Sequence, residues 1–148
     1  MKFNVKWLLL ISWMLIIFFF SAQTGEQSSQ SSGLVEQLLS IFSFIPNRIF
    51  GLELQFLIRK AAHFTEYALL GLCLMLHLDA IGKKIAIKLP WLISWGIGTL
   101  YALTDEWHQG FVGGRHPAIL DVTIDSCGVA VGVLVLVLLL RRRNRPLP

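Results

Sequence analysis

With 148 residues, 55% of them hydrophobic, and a mean hydropathy of +0.65, the chain is too apolar for a soluble domain of its size. The net charge of +4 does not point to nucleic acid, because the basic residues do not interleave with stacking aromatics. They gather at the ends of apolar runs, which is a topology signal. Cys73 and Cys127 both sit inside apolar runs without metal-type spacing, which argues against a disulfide framework and for thiols buried in a membrane.

The first apolar run, Trp7 to Ala22, follows Lys2 and Lys6 and so also has the layout of a signal peptide. Cleavage after Ala22 would place Phe20 where a small residue is wanted, so an uncleaved first helix is expected. The polar segment Gln23 to Ser32 is too rich in Ser and Gln to stay in lipid. Beyond it Leu34, Val35, Leu38, Leu39 and Phe42 recur at helical spacing, which predicts a short amphipathic helix lying in the interface and ending at Pro46-Asn47. A mixed stretch, Ile49 to Ile58, leads to a second span over about 61–78. The loop 79–88 carries Lys83, Lys84 and Lys88. The third span, about 89–104, has Pro90 at its start, where a missing N–H costs little, and Trp91, Trp95 and Trp107 near its ends suit an interfacial belt. The fourth, about 122–140, runs into the basic tail.

The fold expected is an all-α integral membrane protein: a single domain of four transmembrane helices plus the short amphipathic helix in the first outer loop (outer loops 23–60 and 105–121). Lys2, Lys6, Lys83, Lys84, Lys88, Arg141, Arg142, Arg143 and Arg145 all fall on one side of these spans, and only Arg48, Arg59, Lys60 and Arg115 on the other. The positive-inside rule then puts both termini on the cytoplasmic side, with the bilayer as the first partner.

That topology brings the unusual polar residues to one depth. Thr104 to Asp125 alone holds Asp105, Glu106, Asp121, Asp125, His108, His116, Arg115 and the Gly113-Gly114 turn, and the outer end of the second span holds Arg59, Lys60, His63, Glu66 and Tyr67. The spacings are helical: Arg59, His63 and Glu66 share a face, as do Tyr101, Asp105 and His108, and Asp121, Asp125 and Gly128. Each ionisable group within a span costs roughly 2.5–3.5 kcal/mol at the helix centre, so these faces should turn inward and pair, giving an outward-facing polar pocket among the second, third and fourth spans. Gly128 and Gly132 would let a neighbouring backbone come close.

These residues also carry a resemblance. S-A-Q with its Ser-rich sequel, R-K-x-x-H-F-x-E-Y-x-L-L-G, Y-A-x-x-D-E-x-H-Q-x-F-V-x-G-R and D-V-x-I-D-x-x-G follow one another between about Phe20 and Gly132. In this order they resemble the VanZ-like family of small bacterial membrane proteins, named for a protein associated with low-level teicoplanin resistance. The resemblance implies an envelope function linked to glycopeptide susceptibility. It marks Arg59, Lys60, His63, Glu66, Tyr67, Asp105, Glu106, Gln109, Arg115, Asp121 and Asp125 as the characteristic polar positions. It supplies no reaction.

Four readings of the cluster stand side by side. As a site for an anionic, lipid-linked cell-wall precursor or a glycopeptide, Arg59, Lys60 and Arg115 would hold phosphate or carboxylate, with Tyr67 and Gln109 as further ligand-binding candidates. His63, Glu66, Asp105, Glu106, Asp121 and Asp125 are then the catalytic candidates, with His63 or His108 as acid or base oriented by Glu66 or Asp105. As a structural network, the same charges would hold helices in register. As a metal centre, His63, Glu66, Asp105, His108, Asp121 and Asp125 offer ligands for Zn²⁺ or Mn²⁺, although no compact ligand motif is present and no cofactor is expected. A proton-linked transporter is disfavoured by the dry inner halves of the spans. His77 reads as an interfacial histidine, His116 as a solvated loop residue, and the Arg141–Arg145 tail as a topology determinant and contact for anionic lipid.

Overall fold

The computed structural model describes residues 5–42, 45–46, 48–85 and 88–143. Lys2, Asn47 and Arg145 therefore lie outside the described residues, as do the side chains of Lys83, Lys84 and Arg143. The elements in order are α1 (Val5–Ser21), α2 (Gly25–Ser40), a two-residue ladder of β1 (Arg48–Ile49) with β2 (Leu52–Glu53), α3 (Leu54–Ile85), α4 (Pro90–Gln109) and α5 (Ile119–Arg143).

α3 is the hub: α1, α2, α4 and α5 all pack on it, α5 most extensively. The α3–α5 contact is made backbone to backbone. A Cβ added at Gly128 would overlap the Phe64 carbonyl, one at Gly132 the Ala68 carbonyl, and one at Gly71 the Val129 carbonyl. The close approach expected of Gly128 and Gly132 is thus directed at α3, with Gly71 returning it from the other side. Around this seam Tyr67, Leu70, Leu74 and Met75 of α3 meet Val129, Val133 and Leu136 of α5, with Ala102 of α4 and Leu10 and Ile17 of α1 closing the core.

The first outer segment departs from expectation. The polar stretch and the amphipathic stretch form one helix, α2, that meets α1 at a bend of 105°. Two local features make the Ser-rich half helical. Thr24 and Gln27 form a reciprocal capping box, Gln27 N–H to Thr24 Oγ1 at 3.2 Å and Thr24 N–H to Gln27 Oε1 at 3.0 Å. Ser31 and Ser32 then donate to the carbonyls of Gln27 and Ser28 one turn back, which satisfies their hydroxyls inside the helix. Leu34 and Leu38 stay exposed on α2, the apolar side that its spacing foretold. The stretch after it contains a tight hairpin, with Phe50 and Gly51 both at positive φ, as a two-residue turn between right-twisted strands requires.

The helix limits also move. α3 begins seven residues before the expected span, at Leu54 rather than 61, and α4 runs on to Gln109, so Asp105, Glu106 and Gln109 are helical and not part of a loop. Among the described residues two helices, Leu54–Ile81 and Ile119–Arg142, are long and apolar enough to cross a membrane, and the bent α1–α2 pair makes a third if taken as one span. α1 has 17 residues, about 26 Å of rise, short of a hydrocarbon core of ~30 Å. α4 spends its last two turns on polar residues.

Gly132→Val should force α3 and α5 apart and cost about 1–3 kcal/mol of stability in detergent-solubilised protein. Gly96→Ala, on a stretch of α4 where an added Cβ meets nothing within 4 Å, should leave the thermal midpoint unchanged or raise it.

Candidate functional site

Near the bend between α1 and α2, one face of α3 is left partly uncovered. Arg59, His63 and Glu66, one helical turn apart, line a cleft there of about 230 Å³. Its apolar wall includes Ile17 and Phe20 of α1 and Val35 of α2, and Ser28, Ser31 and Ser32 add hydroxyls from α2. Asp105 of α4 and Arg115 of the α4–α5 loop complete it. The pocket therefore differs from the one expected: α1 and the Ser-rich half of α2 supply much of its lining, and no residue of α5 reaches it. Asp121 and Asp125 lie behind α3, in its seam with α5.

Arg115 is the most connected residue of the site. Its Nε donates to the Gln23 carbonyl at 2.8 Å, Nη2 to the Phe20 carbonyl at 3.2 Å, and Nη1 to Gln109 Oε1 at 2.9 Å. Two of these acceptors are at the C-terminal end of α1, where exposed carbonyls and the helix dipole favour a cation. Gln109 passes the contact on, its Nε2 donating to Asp105 Oδ2 at 3.2 Å. The adjoining Gly113 and Gly114 bring the loop against α2: Gly25 N–H donates to the Gly113 carbonyl at 3.1 Å, and a Cβ on Gly25 would collide with the Gly114 carbonyl. Burial and the neighbouring Arg59 charge both pull the Arg115 guanidinium below its ordinary value, yet arginine stays charged at any physiological pH.

A second group of polar residues ties α3 to its neighbours. Lys60 forms an ion pair with Asp121, both mostly buried. His63 Nδ1 lies 3.5 Å from Asp125 Oδ1, and Asp125 is 1% exposed. Glu106 accepts the Ala118 N–H through Oε1 at 2.6 Å, which caps the start of α5 from a distant helix. Tyr67 is fully buried and Gln109 nearly so. The eleven positions singled out by sequence thus divide. Arg59, His63, Glu66, Asp105 and Arg115 meet at the cleft. Lys60, Tyr67, Glu106, Gln109, Asp121 and Asp125 do not line it, although Gln109 and Asp125 touch residues that do.

The remaining histidines follow their own logic. His108 packs on Phe18, ring centroids 4.9 Å apart, and does not line the cleft. Asp125 therefore stands beside the His63 ring, the place that sequence had offered to Glu66 or Asp105. His116 is exposed, and His77 is buried edge-on against Trp7 with centroids 3.7 Å apart. No group of three or more His, Cys, Asp or Glu comes together as a metal site among the described residues.

Reading the sequence alone missed the contributions of α1 and α2. Trp13 Nε1 donates to the Glu66 carbonyl at 2.8 Å, Tyr101 Oη to the Met14 carbonyl at 2.8 Å, and Gln55 Nε2 to the Ser29 carbonyl at 2.7 Å. The signal for the Ser-rich wall was present in S-A-Q and its sequel, which form part of the motif series.

The family model for VanZ/LLP1 matches residues 6–140, nearly the whole chain. The chain belongs to the VanZ/LLP1 family. The matched range includes every cleft residue, all of α2, α3 and α4 and nearly all of α1 and α5, so the cleft lies wholly inside the family's unit. Its apolar helices mark it as a membrane protein. No match was found among curated proteins or among solved structures.

Removing one partner of the Lys60–Asp121 pair should strand a mostly buried charge. Lys60→Met is expected to cost on the order of 3 kcal/mol, and the double variant Lys60→Met/Asp121→Leu should recover most of it, as read by thermal unfolding in detergent through a double-mutant cycle.

Proposed function

We propose that this VanZ-like protein acts in the bacterial envelope by holding the anionic headgroup of an amphiphile, of the lipid-linked cell-wall-precursor type, in the cleft at the α1–α2 bend. One observation carries the reading: the cleft presents two guanidinium groups that, among the described residues, are not in direct contact with any carboxylate. Among the described residues Arg59 has no ion pair, and Arg115 donates only to neutral acceptors, whereas Lys60 is matched by Asp121 and His63 by Asp125. The three Arg115 hydrogen bonds use three of five guanidinium donors, so two stay available to phosphate or carboxylate. The apolar wall of Ile17, Phe20 and Val35 suits the first methylenes of a lipid tail. Deeper in, His63 with Asp125 beside its ring, together with Glu66 and Asp105, provides groups for proton transfer if the headgroup is acted upon.

A structural role fits a different subset. Lys60–Asp121, His63–Asp125 and the Glu106 cap each join α3 or α4 to α5, and these residues serve the packing of helices. The two readings predict opposite outcomes for the two groups. In a host whose teicoplanin susceptibility depends on the protein, Arg59→Ala and Arg115→Ala should lose the effect at normal membrane abundance, and Asp121→Ala should lose abundance itself. Normal activity of both arginine variants at normal abundance would overturn the proposal.

The same reading places four helices, α1, α3, α4 and α5, across the cytoplasmic membrane, with both termini inside and the cleft facing out. It is supported by the separation of basic residues along the sequence and by two helices, Leu54–Ile81 and Ile119–Arg142, long and apolar enough to cross a membrane. With Cys73 and Cys127 changed to Ser, a cysteine placed at Gly51 should react with an impermeant maleimide in intact spheroplasts, and one placed at Lys88 should react only after lysis. Labelling of both from outside would sink the topology.

A further inference from the structure

A second concavity lies at the opposite end of the molecule from the polar cleft. α4 and α5 touch where Gly98 admits the side chain of Val129, and toward the start of α4 and the end of α5 a groove of about 330 Å³ opens between them. Val133, Leu134, Val137 and Leu138 of α5 form its apolar length, and Trp91 and Trp95 of α4, 48% and 40% exposed, form a side wall. Arg141 closes the end.

We propose that this groove seats one acyl chain of an anionic phospholipid, with the lipid phosphate held at Arg141. Three features converge on that occupant. The length of the groove is purely aliphatic and aromatic, which suits a hydrocarbon chain and no polar ligand. Among the described residues Arg141 is the single charge lining it, and it stands at the end of a membrane-length helix, where a spanning helix would bring it to the headgroups. Beside it begins α4, a 20-residue helix whose N-cap residue Leu89 makes no side-chain cap. Pro90 has no N–H, and the N–H groups of Trp91 and Leu92 have no acceptor within the helix, so they add positive potential where Arg141 already supplies it. Lys88, exposed two residues before Pro90, extends the same field. A zwitterionic lipid would bring its own cation to this basic corner, and an anionic one would not. The groove is independent of the cleft, and either site can fail its test without the other.

Tryptophan quenching by brominated lipid tests the assignment. The full chain is reconstituted in phosphatidylcholine vesicles containing equal small fractions of brominated phosphatidylglycerol or brominated phosphatidylcholine. The phosphatidylglycerol should quench about threefold more effectively. Arg141→Gln should abolish that excess, and Arg142→Gln should retain it. Leu138→Phe, which fills the groove and leaves Arg141 in place, should also reduce it. In Trp91→Phe/Trp95→Phe the excess should vanish, because the reporters of the groove are gone. Equal quenching by the two lipids overturns the proposal. So does an excess that survives Arg141→Gln or the double tryptophan replacement, and so does an equal loss in Arg141→Gln and Arg142→Gln, which would mean general attraction to a basic tail. Helical content by circular dichroism confirms that each variant scored is folded.

Discussion

The backbone contact between α3 and α5 is the constraint on which the remaining geometry rests. In lipid, helices gain little from hiding apolar surface, and close packing through small residues takes over as the cohesive term. Gly128, Gly132 and Gly71 bring the two backbones together over two helical turns. The charged residues at the same end of the seam are then forced into register, Lys60 against Asp121 and His63 against Asp125. Buried ion pairs of this kind contribute less to net stability than to orientation. Here they fix the rotation of α3 about its axis. The face bearing Lys60 turns to α5, and the face bearing Arg59 and Glu66 turns to α1 and α2.

From this division it follows that one helix carries two sets of polar residues with separate duties. His63 alone belongs to both, since it lines the cleft and leans on Asp125. Glu106 has a similar position between elements, reaching from α4 to the backbone N–H of Ala118, the residue just before α5.

Much of this was legible in the chain itself. The family resemblance rested on ordered polar motifs, and the same motifs supply all the ionisable cleft residues of α3, α4 and the loop. The close approach at Gly128 and Gly132 was readable from spacing, although its partner was not, since no local pattern says which helix meets a small-residue stripe. The helical Ser-rich half of α2 was hidden because serine is a poor helix former by propensity. Its capping box, Thr24 with Gln27, was a readable signal that composition outweighed. The extensions of α3 and α4 were missed for another reason: hydropathy marks where a helix can be in lipid and is silent about where it continues into water. The pocket's walls follow from the 105° bend at α1–α2, where Arg115, 92 residues beyond Gln23 and 95 beyond Phe20, holds both their carbonyls.

Arg115 has one further consequence. A side chain tethered to the Phe20 and Gln23 carbonyls and to Gln109 has given up its rotamer freedom when the protein folds. An anion arriving at the cleft meets a donor already aimed and immobile, and binding need not order it again. Among the described residues Arg59 makes no such hydrogen bond. On the proposed reading the two arginines would divide the work of capture: one a fixed post that sets where the charge sits, the other an untethered arm that closes on it.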